Sequence, residues 1–225
     1  MSEPALHEVA TLEEVDRDGA IREAAEEVRG DTRAAFLRKG GIVAGVGIGL
    51  AGFPARIAMA QGTPKSDVKI LNFALTLEYL EAAFYAEANA KGKLDGVTAT
   101  FAQVVGGHEA AHVTALQQAL GSAAVKKPTF DFKGTTGSEG TFLKTAMALE
   151  DTGVGAYQGQ ADKIKTTAIL GSAGAILAVE ARHAAWVRDI IGAGHNPKPA
   201  PSAFNKALTM KQVLDAVGET GFIKS

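Results

Sequence analysis

Cysteine is absent from all 225 residues of the chain. This absence excludes disulfide bonds, thiolate metal sites and iron–sulfur clusters. Any metal site in this protein must therefore use oxygen and imidazole nitrogen as ligands. That donor set suits iron or manganese better than structural zinc.

Strong charge and long apolar runs are also scarce. The formal net charge is −2 and the sequence has no basic patch, so we expect no nucleic-acid partner. A Gly/Ala/Val/Ile run from Gly40 to Ala55 is weakly apolar and shorter than the roughly 20 residues that cross a bilayer. We interpret it as part of an export signal, and a retained membrane anchor is the alternative.

The segments on either side of this run support export. Residues 1–31 are acidic and polar and lack the apolar pattern of a core helix. Ala58-Met59-Ala60 fits the small-x-small rule of signal peptidase, so we expect cleavage before Gln61. The stretch before the run resembles the twin-arginine export pattern at Thr32, Arg33, Phe36, Leu37 and Arg38. Ala34 replaces the second arginine, which leaves the general secretory route open.

The expected location follows from these segments. We predict an exported protein, periplasmic or extracellular, which stays anchored in the membrane if the signal is not cleaved. The chain then divides into an acidic N-region with the export signal (residues 1–60), a helical domain (61–192) and a C-terminal tail (193–225). Weak elements in the tail, including residues 210–217, could pack on the helical domain or on a neighbouring subunit.

Helical periodicity organises the central domain. Apolar residues recur at the spacing of amphipathic helices, and glycines stop three of these segments. The predicted helices cover about 67–91, 98–120, 138–166 and 168–192. Short links join the first helix to the second and the third to the fourth, whereas residues 121–137 form a long crossover. This pattern predicts an all-α, antiparallel four-helix bundle.

Two copies of one acidic unit lie on these helices. Each unit has a lone glutamate, a tyrosine seven residues later, and a Glu-x-x-His tetrad about thirty residues after the lone glutamate. Positions i, i+3 and i+7 share one helix face, so the Glu and His of a tetrad can touch one ion. The two units are Glu78, Tyr85, Glu109 and His112, then Glu150, Tyr157, Glu180 and His183.

The glutamates of these units interrupt the apolar stripes of their helices. An ionised carboxylate that faces a packed core is costly unless it is paired or binds a metal. Two divalent cations would neutralise four such glutamates and leave the two histidines as neutral nitrogen ligands. The pattern therefore predicts two iron or manganese ions inside the bundle.

Residues 69–192 resemble the ferritin-like superfamily of carboxylate-bridged di-metal proteins. Four segments are similar to exported bacterial ferritin-like domain proteins: Leu71-Asn72-Phe73-Ala74-Leu75, Pro128-Thr129-Phe130-Asp131-Phe132, Leu149-Glu150-Asp151-Thr152-Gly153 and Val179-Glu180-Ala181-Arg182-His183. The resemblance implies a ferritin-like four-helix bundle with one long crossover. It implies the ligands Glu78, Glu109, His112, Glu150, Glu180 and His183, with Glu109 and either Glu150 or Glu180 as bridges.

Other polar residues near these ligands keep alternative interpretations. Glu81 is a further ligand, a hydrogen-bond acceptor beside the ligands, or a pairing residue at the rim of the bundle. Tyr85 and Tyr157 bond ligand carboxylates or relay an electron, unless they are ordinary core residues. We interpret His108 as a partly exposed histidine and His195 as a structural turn residue.

Two classes of function fit the sequence. The first is a redox enzyme, ferroxidase, peroxidase or catalase-like, that uses peroxide or dioxygen in oxidative or stress defence. The second is a non-catalytic stress or envelope protein that uses the metals as structural staples. A cage-forming ferritin is disfavoured because no added fifth helix with its own apolar stripe is evident. The expected partners are a small oxidant and, in a homo-oligomer, other copies of the chain, with membrane contact only through the export signal.

Overall fold

The structure, a computed structural model, describes residues 63–193 and 196–224. The export signal, its cleavage site at Gln61 and His195 lie outside the described residues. Four long helices form the core of the described part: α1 Lys65–Lys91, α2 Gly96–Leu120, α3 Glu139–Ala161 and α4 Thr167–Gly192. None of the described helices combines the length and the apolar character that crossing a membrane requires.

The four helices form two hairpins. α1 packs mainly against α2, and α3 against α4, with further contacts between the hairpins. Gly92 ends α1 in the left-handed conformation that glycine adopts without strain, at φ 57°. A long crossover with a short 3₁₀ turn at Gly121–Ala123 joins the hairpins. The predicted ferritin-like four-helix bundle with one long crossover is confirmed.

α3 ends at Ala161, five residues before the predicted end at residue 166. The cause lies on another helix. Buried Asp67 of α1 accepts hydrogen bonds from the backbone N–H groups of Lys165 (3.1 Å) and Thr166 (2.9 Å). These bonds satisfy two N–H groups at the start of α4 and hold the chain in the turn that precedes it.

The tail packs on the bundle of its own chain. A capping box at Thr209 and Gln212 begins a fifth helix, α5 Met210–Thr220, which buries Val213 and Val217 in the core. The strand β2 Ile223–Lys224 then pairs antiparallel with β1 Thr129–Phe130 of the crossover. The expectation of no fifth helix with an apolar stripe was therefore wrong, because two valines four residues apart suffice for a helix this short.

The apolar interior consists of two clusters. One is rich in aromatic rings and contains Phe84, Tyr85, Phe101, Phe132 and Phe142, with Phe84 and Phe142 stacked at a centroid distance of 5.3 Å. The other is mainly aliphatic and contains Ile70, Leu75, Leu116, Ile169 and Ile176. The acidic side chains of the two repeated units lie in the interior as well.

Candidate metal centre

All four long helices contribute side chains to one buried polar layer. The glutamates Glu78, Glu109, Glu150 and Glu180 have no exposed surface, and His112 and His183 are buried beside them. The i,i+3 spacing in α2 and α4 places each histidine on the same face as its glutamate. The structure therefore brings all six sequence-predicted ligands together.

These six residues form two groups of four, each with ligand atoms within 4.8 Å of one another. Each group has one lone glutamate, one histidine and the same two glutamates. The first group is Glu78, Glu109, His112 and Glu180, and the second is Glu109, Glu150, Glu180 and His183. Glu109 and Glu180 thus belong to both groups, as bridging carboxylates would, whereas Glu150 belongs to one group only.

The histidines lie at the centres of these groups. Nδ1 of His112 lies 3.2 Å from Glu78 Oε2, 3.1 Å from Glu109 Oε2 and 3.2 Å from Glu180 Oε1. Nδ1 of His183 lies 3.0 Å from Glu109 Oε1 and 3.3 Å from Glu150 Oε2. A single Nδ1–H cannot form well-directed hydrogen bonds to all of these oxygens, so this convergence is typical of ligands around a cation.

Within the described part of the chain, several buried atoms of this layer have no hydrogen-bond partner. They are Glu109 Oε1, Glu150 Oε2, both carboxylate oxygens of Glu180, and His183 Nδ1. The contact of His183 Nδ1 with Glu109 Oε1 is short, but its direction is not that of a hydrogen bond. Each buried, unpaired polar atom costs about 1–3 kcal/mol. Atoms of this kind, all oxygen or imidazole nitrogen, fit iron or manganese ions.

Comparison with known protein families gives the same result as the geometry. Residues 66–193 match the ferritin-like domain family. The chain belongs to this ferritin-like domain family. No curated protein matches the chain.

The two tyrosines of this ferritin-like domain link its halves crosswise. Tyr157 donates a hydrogen bond to Glu78 of the first unit at 2.5 Å, and Tyr85 donates one to Glu150 of the second unit. Burial and the adjacent carboxylate raise the pKa of each tyrosine well above its ordinary value. Both hydroxyls therefore stay protonated and hold the two lone glutamates in place.

Burial and the charges of neighbouring side chains change the pKa values of the carboxyl groups in the layer. Burial, followed by the charge of neighbouring glutamates, raises the pKa of Glu109 and of Glu180. Burial also opposes ionisation of Glu78, but attraction to His112 outweighs it and lowers the pKa of Glu78. Burial alone would lower the pKa of His112, yet the surrounding carboxylates raise it far above its ordinary value. The layer thus has an excess of negative charge that protons or cations must balance.

Glu81 fills a space that the second unit leaves free. It lies three residues after Glu78, and the equivalent position after Glu150 is Gly153. A Cβ at Gly153 would lie 3.0 Å from Glu180 Oε2 and 3.3 Å from Glu81 Oε1. Glu81 is buried but belongs to neither group of four. Burial and then the charge of Glu180 raise the pKa of Glu81, which favours a protonated Glu81 beside Glu180.

His108 contacts a proposed ligand, which the sequence did not predict. Its Nδ1 lies 2.8 Å from Nε2 of His183, and the two rings are nearly parallel. Burial and then the charge of the other histidines lower the pKa of His108, which favours a neutral acceptor. His183 can then donate its Nε2–H to His108 and direct Nδ1 towards the carboxylates. The four-residue spacing from His108 to His112 puts both on one face of α2, so this spacing could have indicated that His108 lies near the site.

Proposed function

We propose that this ferritin-like protein is exported, binds two iron or manganese ions in its buried polar layer, and reacts there with peroxide or dioxygen in oxidative or stress defence. The observation that carries the proposal is the pair of four-residue groups that share Glu109 and Glu180. Shared carboxylates keep two ions adjacent, the arrangement of two-metal sites.

Charge balance supports two ions rather than one. Two divalent cations balance four ionised glutamates, and the histidines then act as neutral nitrogen ligands. Glu81 is the fifth buried carboxyl group, and its raised pKa lets it remain uncharged beside the site. With one ion, two further carboxylates would have to be protonated or stay as uncompensated buried charges, which is costly.

Hydrogen bonds from residues outside the two groups of four position the proposed ligands. Tyr85 and Tyr157 fix the two lone glutamates, and His108 orients His183. Each group of four supplies fewer ligands than the six positions of an octahedral ion, which leaves room for a small oxidant. When bound, iron or manganese would supply the electrons that the protein side chains cannot.

Stopped-flow absorption tests the redox function. Iron-loaded or manganese-loaded anaerobic protein is mixed with hydrogen peroxide or with dioxygen. We expect a rapid ferric absorption or oxygen release, which is lost in Glu150→Gln and kept in the control Glu139→Gln, where the glutamate is exposed at the start of α3. If neither metal gives an absorption change or oxygen release with either oxidant, the result would favour the alternative, a non-catalytic protein with structural metals.

Mass spectrometry tests the exported state separately. The support for export is the apolar run from Gly40 to Ala55 and the small-x-small sequence Ala58-Met59-Ala60 that follows it. We expect a mature N-terminus at Gln61 in the envelope or external fraction. An intact Met1 in the cytoplasm would reject export without affecting the proposed metal site.

A further inference from the structure

A narrow apolar cavity lies inside the bundle next to the polar layer. Its volume is about 20 Å³. Three of its lining residues lie one helical turn from ligands on their own helices: Ala74 before Glu78, Leu116 after His112 and Ile176 before Glu180. The cavity is therefore about one turn from the proposed metals, along the axis of the bundle.

Tyr157 connects the cavity to the site. Its ring lines the cavity, and its hydroxyl donates a hydrogen bond to Glu78. Two helical turns along α1 from Glu78, in the opposite direction, Tyr85 packs edge-on against Phe101 and Phe142. Aromatic rings thus fill the interior on the Tyr85 side of the polar layer. The aliphatic cavity on the opposite side is therefore the interior route to Glu78.

One polar group in the cavity lacks a partner. Gln160 is 4% exposed, lines the cavity, and its Nε2 has no hydrogen-bond partner among the described residues. The other polar side chains of the lining are committed, because Ser172 donates to the carbonyl of Ala168 and Tyr157 to Glu78. The cavity therefore offers mainly aliphatic walls and one unpaired polar atom, the amide nitrogen of Gln160, as a hydrogen-bond donor.

We propose that this cavity binds dioxygen and guides it to the metal layer. The inference rests on the proposed function and selects dioxygen over hydrogen peroxide as the oxidant. A volume of about 20 Å³ holds one water-sized or diatomic molecule and excludes larger organic substrates. Dioxygen has no donor to satisfy and can accept from Gln160. Hydrogen peroxide would turn its two O–H donors towards mainly aliphatic walls, which costs free energy.

Xenon tests the cavity in the metal-free protein. Xenon is an apolar probe of dry cavities, so its binding does not depend on any activity of the loaded protein. In crystals pressurised with xenon, we expect one site between Ala74, Leu116 and Ile176. The half-buried Ala173 also lines the cavity, and Ala173→Phe should remove the site. The matched control is Ala175→Phe, an exposed position on the same helix.

The same variants then test the choice of oxidant. In iron-loaded protein, Ala173→Phe should slow oxidation by dioxygen at least about tenfold, equivalent to about 1.4 kcal/mol, and leave oxidation by hydrogen peroxide within about twofold. Ala173→Leu provides a smaller plug if the phenylalanine variant fails to fold, as judged by circular dichroism and metal content. Ala175→Phe should leave both rates unchanged.

Three results would overturn the proposal. They are an ordered water on Gln160 Nε2 with no xenon site, an unchanged dioxygen rate in both Ala173 variants, and equal slowing of both oxidants. Failure of the protein to bind metal would instead overturn the proposed function and with it the role of the cavity. Metal content and xenon binding are measured separately, so the two failures are distinguishable.

Discussion

At the residue scale, the six proposed ligands are not equivalent. Glu78 and Glu150 each belong to one group of four, whereas Glu109 and Glu180 belong to both. Their burial is the same, so exposure alone does not separate the two roles. The difference follows from helix placement, because only the tetrad glutamates contact the histidines of both halves.

Metal stoichiometry should follow this difference. We expect about two ions per chain in the unmodified protein, about one in Glu78→Gln or Glu150→Gln, and none in the double variant Glu109→Gln/Glu180→Gln. The single variants each leave one complete group of four. Elemental analysis after removal of free metal measures the outcome, with Glu139→Gln as control. Full occupancy in the double variant would reject the ligand assignment.

The pH dependence of stability should reverse when metal binds. In the metal-free protein, the raised pKa values of Glu81, Glu109 and Glu180 contribute stability that is complete below the ordinary glutamate pKa of about 4.5. This contribution is lost as pH rises through the raised folded pKa values. His112, with its raised pKa, acts in the same direction. The lowered pKa of Glu78 opposes them only in acid, below about 4.5.

We therefore expect the unfolding free energy of metal-free protein to fall between about pH 5 and about pH 8. Manganese(II) should stabilise the protein more strongly as pH rises, because ligands must be deprotonated to bind it. Thermal melts with chelator and with manganese across this range measure both slopes. Identical slopes with and without metal would contradict the account.

The sequence predicted the six residues that converge in the polar layer, but not their surroundings. Glu-x-x-His pairs and lone glutamates on apolar stripes are local patterns, so they can be read without a fold. The pairing of His108 with His183 joins residues 75 positions apart and depends on how α2 and α4 cross. The crosswise bonds of Tyr85 and Tyr157 depend on the same packing, and the seven-residue offset indicated only that each tyrosine shares a face with its glutamate.

At the element scale, α3 provides the surface on which the tail packs. The backbone N–H of Leu208 donates to the carbonyl of Gly155 at 2.9 Å. A Cβ at Gly159 would lie only 1.8 Å from the carbonyl oxygen of Leu208. Glycine is therefore required at position 159 for the tail to approach, although glycine weakens a helix.

Gly159→Ala should destabilise the protein by about 1–3 kcal/mol, because backbone atoms of the tail must move. The control is Gly174→Ala in α4, where an added Cβ meets nothing within 4 Å. That variant should be neutral or up to about 1 kcal/mol more stable, because alanine favours the helix. Urea unfolding measures the unfolding free energy of both variants. Equal stability of Gly159→Ala and the unmodified protein would contradict the close packing of the tail on α3.

Helix ends set by local signals were predictable, whereas those set by distant contacts were not. The C-terminal glycines gave the ends of α1 and α2 correctly. The early end of α3 depends on Asp67, nearly one hundred residues away, which no local pattern reveals. Residues 210–217 were expected to pack on the helical domain or on a neighbouring subunit. The helix α5 itself and the pairing of β2 were not predicted, because their partners, α3 and β1, are remote in sequence.

At the scale of the whole molecule, the described bundle is a pseudo-symmetric pair of helical hairpins around a charged layer. Each hairpin contributes the same four residues, Glu, Tyr, Glu and His, in the same order, and both groups of four contain the two tetrad glutamates. Two differences between the halves lie beside the repeated residues. Glu81 faces Gly153, and His108 has Val179 as its equivalent in the second unit. These differences predict two ions in unequal surroundings.

The central claim is that the buried layer holds two adjacent metal ions bridged by Glu109 and Glu180. Anomalous X-ray scattering at the iron edge, on crystals of iron-loaded protein, tests it most directly. We expect two peaks per chain, about 3.5–4 Å apart, with Glu109 and Glu180 in contact with both. No peak in this layer, or a single peak bound by only one group of four, would contradict the account.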